Sequence, residues 1–208
     1  MTDNYVIQMQ NAQKFFLRYD QEKLIQKFGM HADADYLYPI MFRTLYRIDR
    51  KTGSFERYRG VWQDANTFGE VMTILDILCD SREDRFLTGR WVSTQHFGKH
   101  IHTGLLELEE DPLATAFDKV PGSFRKACQA IGGHPIVGGD EAYAVEVMDG
   151  LEIGIFFWYG DEEFPAQLRF YWDENALMYI RYETMHYTLG YLRSVLKGYV
   201  SSAGHSPL

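Results

Sequence analysis

The sequence predicts an α+β fold: an antiparallel sheet, built from an N-terminal hairpin and a C-terminal three-stranded meander, packed with about four helices. Three observations predict it. Strand-like runs follow one another, first in "MFRTLYRIDRKTGSFERYRG" and again in "EAYAVEVM", "LEIGIFFWY" and "AQLRFYW", instead of alternating singly with helices. Asp149-Gly150 separates two of these runs, and Asp-Gly favours the two-residue type I′ turn of an antiparallel hairpin. Between the strand blocks, apolar residues recur at helical spacing, as in Phe68, Val71, Met72, Leu75, Leu78 and Cys79.

Taken in order, the first helix is expected from about Asn4 to Phe28, stopped by Gly29. The first hairpin turns at "DRKTG", where Gly53 supplies a positive φ, and places Arg43 and Arg47 on one strand face. A second helix follows the capping residues Asp64 and Asn66 and ends near Cys79. "GRWVSTQHFGKHIH" reads as a short strand entering a loop, and "TGLLELEEDP" fits neither period. "GSFRKACQAI" is a third helix, closed by Gly132-Gly133. The last helix starts near Thr184 and carries the stripe Met185, Leu189, Leu192, Leu196 and Tyr199. "LEIGIFFWY" is apolar on both faces in its second half, which marks a central strand.

The whole chain of 208 residues reads as a single globular domain with a frayed tail from about residue 201. Its net charge of −8 disfavours a nucleic-acid partner. No basic leader precedes an apolar core and no apolar run spans a bilayer, so a cytoplasmic protein with no membrane partner is expected. Cys79 and Cys128 lie on helical stripes and read as reduced, buried core thiols. The chain has no Cys-x-x-Cys, phosphate loop, dinucleotide fingerprint or nucleophile elbow.

The candidate site comes from strand register. With a two-residue turn at Asp149-Gly150, Met148 pairs with Leu151, Val147 with Glu152, and Asp140 with Tyr159. The segments "GGDEA" and "YGDEE" then share one end of the sheet, gathering Asp140, Glu141, Asp161, Glu162 and Glu163 beside the aromatics Trp158, Tyr159 and Trp172. Clustered carboxylates raise one another's pKa unless cations or donors intervene. A bound cation, internal ion pairs with Arg169 as the nearest candidate, and plain exposure to water all satisfy that requirement. Asp161 also suits an Asx turn, accepting from amides of its own loop. His96, His100 and His102 form a weaker candidate for metal, expected to hold no tight zinc. The basic residues Arg43, Arg47, Arg50, Lys51, Arg57 and Arg59 mark the first hairpin as a surface for an anion or an acidic partner, or as an exposed sheet face.

The segments "AIGGHPIVGGDEAY" and "FFWYGDEEFPAQLRFYWDENALMYI" resemble the C-terminal signature of an uncharacterised family, domain-of-unknown-function family 3786, found mostly in anaerobic bacteria and archaea. The matching residues are Gly132, Gly133, Gly139, Asp140, Trp158, Asp161 through Pro165, and Asp173; "GRWVS" and the helix before Cys79 fit as well. "HFGKHIH" departs from the glycine-rich segment of the relatives. Some relatives carry a cysteine-rich iron–sulfur module that is not in this sequence, so no iron–sulfur cluster is expected, and the resemblance supplies no activity. The leading expectation is a non-catalytic ligand-binding or accessory protein using the acidic sheet end, with a small molecule or a protein as partner. The alternatives are a carboxylate-based enzyme, with or without a divalent metal, and a structural interaction module. The cofactor and the oligomeric state are not specified by the sequence.

Overall fold

The structure, a computed structural model, describes residues 4–98 and 111–203, with side chains up to residue 200. His100, His102 and the stretch 103–110 lie outside the described residues. The fold is α+β, with two antiparallel sheets. The expected hairpin and meander are both present, but each is the centre of its own sheet. The described helices number six, two more than the periodicity predicts.

The expected first helix is two helices, α1 (Asn4–Phe16) and α2 (Gln21–Phe28). Asp20 breaks it: its carboxylate accepts the Lys23 amide and so starts a new N-terminus. Gly29 ends α2 in the left-handed conformation, as expected. The first sheet contains β1 (His31–Ala32), β2 (Tyr36–Tyr38), β4 (Thr44–Asp49), β5 (Phe55–Tyr58) and β6 (Trp62–Asp64) in that order, with β3 (Ile40–Met41) paired to β4. The β4–β5 turn has Gly53 at φ 72°, and Asp49 caps it through the Lys51 and Thr52 amides. Arg43 does not lie on a strand face. It sits in the β3–β4 turn, where Phe42 and Arg43 both take positive φ, 47° and 59°.

Helix α3 (Phe68–Asp80) is preceded by Thr67, not by Asp64 or Asn66, and the Thr67 hydroxyl donates to Glu70. Val71, Ile74, Leu75, Ile77 and Leu78 fill the core, whereas Phe68, Met72 and Cys79 are only half-buried. Cys128 is fully buried. A short strand β7 (Trp91–Ser93) follows, then α4 (Pro112–Asp118) and α5 (Ser123–Ala130). Helix α4 was not expected, although Asp111 before Pro112 is a start signal: the Asp111 carboxylate accepts the Leu113 amide. The second sheet has the order β7, β11 (Gln167–Asp173), β10 (Leu151–Trp158), β9 (Glu141–Met148), β8 (His134–Pro135), so "LEIGIFFWY" does supply the central strand.

Helix α6 (Tyr182–Ala203) packs Met185, Leu189, Leu192 and Leu196 into the core; Tyr199, the expected fifth member of the stripe, is exposed. A buried polar hub ties α6 to α3 and to the first sheet. Glu70, wholly buried, accepts hydrogen bonds from Tyr46 (2.9 Å), Tyr191 (3.1 Å), Arg57 (2.9 Å) and Thr67 (2.9 Å). Four donors around one carboxylate offset the cost of burying it. No described helix is long and apolar enough to cross a membrane.

Candidate functional site

The turn chemistry holds at the β9–β10 hairpin: Asp149 and Gly150 have φ 56° and 78°, the two positive values of a type I′ turn. Met148 lies opposite Leu151 as expected, but the next pair is Glu146 with Glu152, not Val147 with Glu152. A β-bulge at Val147 shifts every later pair by one residue, so the register ends with Glu141 opposite Phe157. Asp140 therefore falls level with Trp158, and the expected Asp140–Tyr159 pairing is wrong by one. The cause is tertiary: the carbonyl of Val147 turns toward the first sheet and accepts the Phe42 amide at 3.1 Å.

Both Gly-Asp-Glu segments still meet at one end of the sheet. There the acids divide by task. The Asp140 carboxylate accepts the Tyr159 amide at 2.8 Å, while the Asp140 amide donates to the Phe157 carbonyl at 2.9 Å. Glu141 is held by Arg125 of α5 at 3.1 Å and by the Tyr159 hydroxyl. That hydroxyl, bound to a carboxylate, has its pKa pushed up to about 12. Arg125 is thus the internal cation of the cluster. Arg169 donates to Gln167 on its own strand.

Asp161 makes the expected Asx turn, accepting the Phe164 amide at 2.7 Å and the Glu163 amide at 2.8 Å. These two amides hold its carboxyl below the usual range. Glu162 and Glu163 are exposed and their carboxylates engage none of the described residues. They border a shallow depression of about 660 Å³, lined also by Asp118, Gly160 and Phe164. Asp118 accepts the Gly160 amide at 3.2 Å from the end of α4. Sequence reasoning missed Asp118 because it depends on a helix that was not expected.

The aromatics do not form one wall. Trp158 lies on the opposite face of the sheet from Phe157 and stacks on Phe156, with ring centroids 6.3 Å apart. Tyr159, 40% exposed, packs edge-on to Phe157. Trp172 does not belong to this end at all. It pairs with Ile153, five residues along β11 from the Gln167–Trp158 pair, and is fully buried. Alternation in "QLRFYWD" puts Leu168, Phe170 and Trp172 on the core face. Phe164, 61% exposed at the mouth of the depression, takes the place expected for Trp172.

His96, the one described member of its trio, is exposed and contacts Phe97 edge-on. Among the described residues no group of three His, Cys, Asp or Glu side chains is placed to hold a metal ion. The basic hairpin is largely neutralised from within: Arg47 pairs with Glu56, Arg50 with Glu22, Lys51 with Asp35 and Arg57 with Glu70. Asp173 clamps the loop before β7 to the end of β11, accepting the Thr88 and Gly89 amides together with the Asn175 amide of its own turn. It is 4% exposed and its role there is architectural.

A family profile described as "Domain of unknown function (DUF3786)" matches residues 20–194. Comparison with curated proteins and with solved structures gave no match.

Proposed function

The chain belongs to the family described as domain of unknown function DUF3786, and we propose that it acts as a non-catalytic binding protein whose acidic sheet end takes a cationic partner. The observation that carries this reading is the division of labour among the acids. Asp140, Glu141 and Asp161 are committed to holding backbone or Arg125. Among the described residues Glu162 and Glu163 remain unengaged, beside Asp118 and the exposed ring of Phe164. Carboxylates next to an open aromatic face suit an ammonium or guanidinium group. A carboxyl held low by two amides, like that of Asp161, is a poor general acid near neutral pH, which favours binding over catalysis.

Calorimetric titration with spermidine tests the reading. Binding that weakens with added salt, and that falls roughly tenfold in the Glu162→Gln/Glu163→Gln variant, is the expected result. Equal binding by the wild type and the variant would contradict it.

A further inference from the structure

A second opening lies elsewhere, between the two sheets. It is a groove of about 1030 Å³, walled by the end of α2, the β3–β4 turn, the C-terminal end of α5 and the bulged end of β9. Ile40, Leu45, Ile131 and Met148 give it an apolar lining. Ile40 is 57% exposed, a large apolar side chain left open to the groove.

The charges in the lining are unequally served. Asp149 is paired with Arg85 at 2.6 Å, and Glu146 accepts the Gly150 amide at 2.8 Å. Arg43 makes no hydrogen bond or ion pair with the described residues, although Arg47, Arg50 and Arg57 on the same hairpin each have a carboxylate. The stem of Arg43 passes over Gly132, where an added Cβ would lie 3.3 Å from the Arg43 Cδ.

The backbone makes this arginine harder to explain structurally. Phe42 and Arg43 both occupy the left-handed region, where side chains other than those of Gly, Asn and Asp are strained. For Phe42 the strain is offset: the ring is 3% exposed in the core and the amide reaches Val147. Arg43 is exposed and gains no fixed partner among the described residues in return, while Gly or Asn at this position would turn the chain without strain. Strain retained with no structural return points to function.

We propose that the inter-sheet groove is a second binding site, taking a small amphiphilic anion whose carboxylate or phosphate head meets Arg43 and whose apolar body lies along Ile40, Leu45, Ile131 and Met148. An arginine fork suits either head. His31, which stacks on Tyr38, also lines the groove and brings a ring N–H donor to it. The site is separate from the acidic sheet end, and its test does not depend on that one.

The experiment is titration of the full chain with 2-naphthoate and with 2-naphthyl phosphate, with uncharged 2-naphthol as control. The tighter of the two anions identifies the head. Arg43→Gly is the decisive variant, because glycine relieves the left-handed strain. The expected result is saturable binding of at least one anion, weakened roughly tenfold or more in Arg43→Gly, in a variant that melts at or above the wild-type temperature. Three results would each overturn the proposal: 2-naphthol binding as tightly as the anions, unchanged binding by Arg43→Gly, or a lower melting temperature for that variant, which would give Arg43 a structural role.

Discussion

The Tyr159 amide donates to the Asp140 carboxylate at 2.8 Å, although the strand register places Trp158 level with Asp140. The side chain of Asp140 thus reaches one residue beyond its backbone partner and closes the end of the β9–β10 ladder. Replacing Asp140 by Ala leaves the Tyr159 amide to water, and a loss of about 1 kcal/mol in unfolding free energy is expected. Urea denaturation measures it; an unchanged midpoint would show that Asp140 does not hold this end.

Glu70 is expected to be the most sensitive polar position in the core. Its Arg57 partner is half-buried, and both tyrosine hydroxyls converge on the same carboxylate. Glu70→Ala strands these donors, and a cost of about 3–5 kcal/mol is expected. Glu70→Gln, which keeps an acceptor in place, should cost less. The ranking of the two variants in urea denaturation is the check.

Asp76 and Asp161 make opposite contributions to the pH dependence of stability. Burial raises the Asp76 carboxyl from 3.8 to about 6, against the opposing pull of Arg181, whose amide it accepts at 2.7 Å. A carboxyl raised on folding gives stability that is complete below its unfolded pKa and lost as pH rises through its folded value. Asp161 is lowered, so its contribution is present above the unfolded pKa and lost as pH falls. The stability of wild type relative to Asp76→Asn should therefore fall between pH 4 and pH 7. A relative stability that rises over this interval would contradict the assignment.

Both thiols should resist modification in the folded protein. Burial raises Cys79 to about 12 and Cys128 further, so little thiolate is present near neutrality. Cys79 is half-buried and Cys128 fully buried, so a bulky disulfide reagent should reach Cys79 first. Rapid native labelling of Cys128 would contradict the packing of α5.

What was legible in the sequence is local. Asp149-Gly150 and Gly53 announce their turns because those conformations need φ above zero, and a run apolar on both faces identifies β10 as central. The alternation that sends Trp172 to the core was also readable in "QLRFYWD". So were the helix starts at Asp20 and at Asp111-Pro112, each a capping residue ahead of a helix. The bulge at Val147 was not readable: it answers a hydrogen bond from Phe42, about a hundred residues away and in the other sheet. Arg43 was legible as one of the basic residues of the hairpin, but its place in a turn was hidden for a related reason. The Phe42-Arg43 turn contains no Gly, Asn or Asp, and only the packing of the two sheets makes it a turn beside a groove. The acidic end was found because charge and turn chemistry coincide there. Its division into holding and unengaged acids required the positions of Arg125 and Asp118.

The central claim is that the unengaged acids at this sheet end receive a cation. Amide chemical-shift mapping during a spermidine titration tests it most directly. The account predicts perturbations confined to the neighbourhood of Asp118 and residues 160–166, with the Tyr159 amide, already held by Asp140, moving least. Shifts centred on the groove beside Arg43, or spread evenly over the surface carboxylates, would contradict it.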